Sequence, residues 1–391
     1  MKIVRVETIP VSLPVGDFAD GHSKVRAIQH PPKFSSGRSH RHLVGRGAGV
    51  VLSDVIVKIH TDDGLIGIGE AACDATEPVH NVRNMIDRHM APLLIGEDPL
   101  DWEFLIDRLA WDSPRGATRH ATAGLDLALH DLVGKALGVP VYSLIGGYRR
   151  EKVLASIEVP KNSPQLQIDH CVEYYDQGVR GFKAKVGSNP YLDAESVIGI
   201  WEKLGPGISL RADANCGYTV KQARTFCRLI ERSGAELEVL EQPTQKLDIE
   251  GMRAVRESTD IPIEADESAF SLEMVYRLLQ AGAVDLINTK CAKALGIKGV
   301  REWATVARAA GSGIVIGTEW GSASIVAAKL HLGSALSNAD PVVEFTELMI
   351  HEMLHAEPMV LVDGYLRVPT GPGLGFELDD EKVARFRTPD A

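Results

Sequence analysis

Seven charged residues recur at nearly constant steps through the middle and end of this chain. They are Lys185, Asp213, Glu241, Asp266, Lys290, Glu319 and Glu344, spaced 28, 28, 25, 24, 29 and 25 residues apart, with Lys183 two places before the first. Each step is about the length of one strand, one helix and two loops. Equivalent positions in successive βα units stand side by side, so the spacing predicts that these groups converge. Asp213, Glu241 and Asp266 are consecutive oxygen donors in the series. Three bare carboxylates in one place would repel strongly, and a hard divalent cation resolves that repulsion. Oxygen-only ligands favour Mg²⁺ over zinc or copper.

The lysines supply the complementary chemistry. Lys183 and Lys185 lie two apart on a strand-like run, so they point to the same side. Two neighbouring ammonium groups disfavour double protonation, which would let Lys185 act as a base near neutral pH. Lys290 ends the run from Val284 to Thr289 and would face Lys185 across the mouth of a barrel. Lys293 is close in sequence and is assigned to the following loop. A base on either side of a metal-assisted site suits removal of the weakly acidic proton alpha to a carboxylate, because the cation stabilises the enediolate oxygens.

These groups need elements to hold them. From Val153 onward eight short strand-like runs alternate with helix-length segments: 153–159, 181–186, 208–213, 237–240, 262–266, 284–290, 313–317 and 342–345. The rhythm predicts a parallel barrel, with an open doubly wound sheet as the alternative. Before it, strand-like runs from Ile3 to Val11 and Val50 to His60, then an arm from Leu65 to Glu70, precede a helical stretch from Pro78 to Leu137. Ala121, Leu125, Ala128, Leu129 and Leu132 form one apolar stripe, stopped by Gly138 and Pro140. The expected organisation is an α+β capping domain over 1–135, a barrel over 150–365 and a tail over 366–391 that packs back on the cap.

Composition narrows the class. With 391 residues the chain can hold a barrel plus a further module, and 45% apolar with 24% charged residues is ordinary for a globular protein. A net charge of −11 argues against nucleic acid, and no apolar run suggests a membrane span. The N-terminus reads as a strand rather than a signal peptide. Five cysteines, none in a C-x-x-C pair, speak against a disulfide framework or zinc site and fit a reducing cytoplasm. Within this acidic chain, residues 20–46 carry Lys24, Arg26, Lys33, Arg38, Arg41 and Arg46, and Asp20 is their one acid. They read either as a solvated surface loop or as a lid, spanning about 17–48, for an anionic substrate.

Larger motifs join these features. The segment from Ala123 to Leu132 is followed by Gly138-Val139-Pro140 and Leu144-Ile145-Gly146-Gly147. Further on come Lys183-Ala184-Lys185, Asp213-Ala214-Asn215, Glu241-Gln242-Pro243, Ala265-Asp266-Glu267-Ser268, Asn288-Thr289-Lys290 and Pro372-Gly373-Leu374-Gly375. Over nearly its whole length the chain resembles the enolase superfamily, and within it the muconate lactonizing enzyme subgroup of the mandelate racemase/muconate lactonizing enzyme family. The resemblance implies a capping domain on a modified (β/α)7β TIM-like barrel. It also implies Mg²⁺ on Asp213, Glu241 and Asp266, Lys185 and Lys290 as the acid/base pair, and Lys183 tuning Lys185. Homo-oligomers are usual in that family, so one is expected here. No histidine occupies the seventh strand end, which reads Gly317-Thr318-Glu319-Trp320-Gly321 and separates the chain from the mandelate racemase subgroup.

Glu319, Trp320 and Glu344 are the candidate contacts to a small-molecule carboxylate substrate. Trp320 could instead pack in the core, and Glu344 could hydrogen-bond a lysine. The expected activity is an isomerase: a racemase, an epimerase or a muconate cycloisomerase-like enzyme. A dehydratase acting on a hydroxy acid would use the same enediolate, and a non-catalytic metal-binding barrel is the third reading. No G-x-x-x-x-G-K-[ST] run and no dinucleotide fingerprint opens a barrel helix.

Overall fold

Alternation of inward and outward side chains organises both halves of the chain. The computed structural model describes residues 1–14, 51–73, 77–111, 119–349 and 353–388, so the basic segment read as a lid lies outside the described residues. Strands β1 (Ile3–Pro14), β2 (Val51–Thr61) and β3 (Ile66–Ala72) form an antiparallel sheet, with Ile9 opposite Ile56 and Ile56 opposite Glu70. Gly64, at φ +89°, supplies the left-handed residue that the β2–β3 turn requires.

The helix Arg119–Leu137 lies against this sheet. Its sequence predicts one apolar stripe, yet every residue from Ala121 to Gly134 is buried. The sheet covers one side and the barrel the other, so even Asp126, His130 and Asp131 are enclosed. The approach to β3 is backbone to backbone: a Cβ added at Gly69 would sit 2.0 Å from the Gly124 carbonyl oxygen. Such proximity needs glycine.

The second half closes into a barrel. Strands β4 (Lys152–Val159), β5 (Gly181–Lys185), β6 (Ser209–Asp213), β7 (Val239–Glu241), β8 (Ile263–Ala265), β9 (Leu286–Thr289), β10 (Gly313–Ile316) and β11 (Ala339–Glu344) run parallel in sequence order. β11 pairs with β4, which excludes the open doubly wound sheet. Seven helices fill the connections, giving a (β/α)7β barrel. A short strand, β12 (Tyr365–Arg367), adds antiparallel to β4. Beyond it the chain returns to the cap sheet, where the Thr388 amide donates to the Pro10 carbonyl at 2.8 Å. Among the described residues no helix is long and apolar enough to cross a membrane.

Period-two alternation sorts the barrel side chains. Phe182 and Ala184 on β5, Leu210 and Ala212 on β6, Leu240 on β7 and Ile287 on β9 join the buried apolar layer shared with the helices. Among the intervening positions Lys183, Glu241, Glu264 and Asn288 are polar and meet one another inside the barrel. Register then levels the strand ends: Lys185 pairs with Asp213, and Asp213 with Glu241.

Candidate active site

The charged series stands at the carboxyl ends of the strands. Lys185, Asp213 and Glu241 are the last residues of β5, β6 and β7. Asp266 and Lys290 directly follow β8 and β9, and Glu344 ends β11. Glu319 and Trp320 lie in the loop after β10. Lys185 donates to Asp213 Oδ2 at 2.6 Å and also meets Glu158 Oε1 at 2.9 Å. Lys290 donates to Asp266 Oδ1 at 2.5 Å, and Lys293 reaches the same oxygen at 2.6 Å. Lys183 lies deeper, 2.8 Å from Glu241 Oε2 and 2.7 Å from Glu344 Oε1.

These partners reverse one electrostatic expectation. Burial opposes the charge on Lys185, but Asp213 and Glu158 outweigh both burial and the neighbouring Lys183, and the ammonium is held above its ordinary pKa. Lys183 is likewise raised: burial opposes its charge, and Glu241 and Glu344 overcome that. Lys183 still depresses Lys185, but the nearby acids outweigh that repulsion. For Lys293, burial and Lys290 prevail over Asp266, and its pKa is lowered.

Acids are nonetheless in excess at this end. Glu241 is pushed well above the usual carboxylate range by burial and then by the Asp213 charge. Glu267 is raised to about 7 by burial, then by Asp266 and Asp213. Asp266 differs: against burial, Lys290 and Lys293 hold its carboxyl well below the usual range. An all-oxygen donor set in which the Asp213 charge raises Glu241 fits a hard divalent cation. A deeper buried group, Glu241, Glu264 and Glu344, has donor oxygens within 4.8 Å of one another and could also hold a metal ion. The two sets share Glu241. The deeper one already has protein donors: Lys183 on Glu241 and Glu344, Asn288 Nδ2 on Glu264 at 2.7 Å, and the Thr318 amide on Glu344 at 3.0 Å.

The three residues expected to touch substrate separate. Glu344 is buried, and Lys183 and Lys290 hold its carboxyl down at about 2 against the opposing effect of burial. Glu319 is buried with both oxygens on backbone amides, Cys291 at 2.9 Å and Ala292 at 2.5 Å. Trp320 is half-buried at φ +54°, a conformation costly for a bulky side chain. Of six non-glycine residues with positive φ among those described, five (Asn215, Cys216, Gln242, Leu295 and Trp320) lie in loops after barrel strands. Backbone strain of this kind concentrates where a site must be held in one geometry.

Several participants escaped the sequence reading. Glu158, on the first barrel strand, precedes Lys185 by 27 residues, so the same spacing argument extended one unit back would have found it. Lys293 was placed in a loop, and that loop turns it back onto Asp266. Glu264 carries no signal beyond its inward parity on β8, and Asn288 entered only as part of the Asn288-Thr289-Lys290 motif, with no role of its own.

Comparison with known proteins agrees with this architecture. Residues 167–383 match the family model "Enolase C-terminal domain-like", and residues 43–146 match "Mandelate racemase / muconate lactonizing enzyme, N-terminal domain". The chain is 30% identical over 380 residues to the L-Ala-D/L-Glu epimerase of Bacillus subtilis, covering 96% of this chain and 97% of that one. It is 33% identical over 347 residues to muconate cycloisomerase 1 of Pseudomonas putida, covering 85% and 90%. The crystal structure of muconate cycloisomerase from Pseudomonas fluorescens superposes with a TM-score of 0.83 at 29% identity, covering 99% of each chain.

Proposed function

We propose, from the premise that this chain belongs to the mandelate racemase/muconate lactonizing enzyme family and is an isomerase of its muconate lactonizing enzyme subgroup, that it moves the proton alpha to the carboxylate of a small substrate. One observation carries this reading. In the closed eight-stranded barrel, β5 and β9 are four strands apart in either direction, so Lys185 and Lys290 approach the mouth from opposite sides. The acid-bearing β6, β7 and β8 lie between them.

Opposed amines suit a proton exchange between the two faces of one carbon. One lysine, free to lose its own proton once Asp213 or Asp266 no longer holds its charge, removes the alpha proton; the electron pair left behind delocalises into the carboxylate as an enediolate, and the other lysine, still protonated, returns a proton to the opposite face. That sequence racemises or epimerises. A related enediolate serves a muconate–lactone interconversion, where a ring C–O bond forms or breaks at the neighbouring carbon. Mg²⁺ held by Asp213, Glu241 and Asp266 would supply positive charge for the carboxylate oxygens as the proton leaves. Lys183, tied to Glu241 and Glu344, keeps a fixed positive charge beneath Lys185. Trp320 is the substrate-side wall, whose ring offers an apolar or cation–π face, while Glu344 and Glu319 act from behind.

The test is solvent exchange. With Mg²⁺ in D₂O, pools of N-substituted amino acids, proline derivatives, dipeptides, hydroxy acids and muconate lactones are followed by mass spectrometry. Deuterium uptake at the alpha carbon, abolished by chelator, is the expected result. Lys185→Ala and Lys290→Ala should each lower it by roughly 10²–10⁴-fold. A product lighter by water would assign a dehydratase instead, and full turnover in both lysine variants would sink the mechanism.

A further inference from the structure

Glu319 has an unusual set of partners for a carboxylate at a barrel mouth. It follows β10 by three residues and is 6% exposed. Its two oxygens accept hydrogen bonds from successive backbone amides, Oε1 from Cys291 and Oε2 from Ala292. Those amides belong to the two residues immediately after Lys290. Both oxygens are thus committed to the main chain of the segment that presents Lys290.

That segment is a tight turn. The Ala294 amide bonds to the Lys290 carbonyl at 2.9 Å and the Gly296 amide to the Cys291 carbonyl at 2.7 Å. Leu295 occupies the left-handed region at φ +68°. At its far end the turn is held from the cap, where Asp126 accepts the Ile297 amide at 2.5 Å. Glu319 fixes the near end, where Lys290 leaves the strand. A buried ion pair, Lys329 with Glu347 at 2.7 Å, acts electrostatically on the Glu319 carboxylate, which is itself buried. Lys185 is anchored quite differently, by the side chains of Asp213 and Glu158.

We propose that Glu319 is a positioning residue for Lys290: its carboxylate clamps the Cys291 and Ala292 amides and so sets the approach of one of the two opposed lysines. Resting on the proton-transfer reading above, this makes Glu319 specific to one face of the substrate carbon. Charged acceptors form the stronger hydrogen bonds. A neutral amide at this position keeps one acceptor oxygen and brings an NH₂ group against a backbone donor.

Two measurements on the full chain test this, using Glu319→Gln and Glu319→Ala. The first is hydrogen–deuterium exchange of the backbone. Exchange across peptides containing 290–296 should rise by about tenfold or more, while peptides containing 181–188 stay within about twofold. Unchanged protection at 290–296 overturns the clamp, whatever the activity. The second is deuterium uptake into each stereoisomer of a substrate the parent enzyme exchanges. The face lost in Lys290→Ala should slow by about 10–100-fold in kcat, with KM nearly unchanged, while the face lost in Lys185→Ala changes by less than about threefold. Equal slowing of both faces would mean a general structural role. A rise in KM at constant kcat would mean substrate contact. Either result overturns the assignment. Absence of exchange in the parent enzyme with every acid tested would instead reject the proton-transfer function, and the amide exchange would still decide whether the clamp exists. Should Glu319→Ala fail to fold, the isosteric glutamine variant alone supports both measurements.

Discussion

Asp54 shows what a single buried side chain can demand. It sits on β2 with no exposed surface, close to the Glu70 carboxylate. Burial, then the Glu70 charge, pushes its carboxyl well above the usual range. A raised carboxyl keeps in the folded chain a proton that the unfolded chain releases near pH 4. Its favourable contribution is present below that pH and is lost as pH climbs toward the raised value. Asp54→Asn removes the ionisation and keeps the shape. The variant should match the parent near pH 4 and exceed it at pH 8, by on the order of 1 kcal/mol. Urea denaturation across that range checks this. A variant less stable at pH 8 would mean that Asp54 is ionised and usefully paired.

At the scale of elements, the loops after β5 and β6 hold the Lys185 and Asp213 ends together. Gly187, at φ +93°, lies so close to the next loop that an added Cβ would be 2.2 Å from the Ala214 carbonyl oxygen. A Cβ at Gly217 would meet the Gly187 oxygen at 2.2 Å in return. Asp193, from the helix Pro190–Leu204, accepts the amides of Gly187, Ser188 and Asn189 through one oxygen at 2.9–3.0 Å. Gly187→Ala faces both a forbidden backbone angle and a clash with backbone. It should cost about 2–4 kcal/mol and lower turnover by displacing Lys185 from Asp213. Thermal unfolding and exchange kinetics measure the two effects. Loss of stability with undiminished turnover would show that the β5–β6 loops do not position the lysine.

Over the whole molecule, carboxylates join cap to barrel. Glu70 on β3 accepts the Ser322 amide at 2.5 Å, its hydroxyl at 2.6 Å, and the Ala323 and Ile325 amides at 3.0 and 3.1 Å. It thereby caps the start of the barrel helix Ser324–Ala335, which follows the Trp320 loop. Asp126 does the same for the start of the helix Ile297–Ala309. Asp131 accepts amides from Ile68 on β3 and Leu374 in the tail, both at 2.8 Å. Removing Glu70 leaves several buried donors unsatisfied, each costing about 1–3 kcal/mol. Glu70→Ala should lose about 3 kcal/mol or more in chemical denaturation, and Glu70→Gln less. A loss under about 1 kcal/mol would show that water replaces the carboxylate at this joint.

The residues themselves determined the periodic features. Repeated steps of 24 to 28 residues placed Lys185, Asp213, Glu241, Asp266 and Lys290 at successive strand ends, because one βα unit has a nearly constant length. Period-two parity put Lys183 and Lys185 on one face and Phe182 and Ala184 on the other. Barrel closure was left open by periodicity, since parallel strands read alike in a barrel and an open sheet, and only the β11–β4 pairing decided it. The helix Arg119–Leu137 appeared amphipathic because a stripe is all that spacing reveals, whereas the second layer burying its polar side comes from the opposite half of the chain. The protonation of the lysines was decided in the same way. Lys183 was visible as the neighbour of Lys185, but Glu158, Glu241 and Glu344 reach the pair through folding, and their charges outweigh it. Glu319, chosen from sequence as a substrate contact, turns its carboxylate to the backbone of another loop. Spacing along a chain encodes which end of the barrel a residue occupies. The partners of its charged atoms depend on distances between segments far apart in sequence, and those exist only once the barrel has closed.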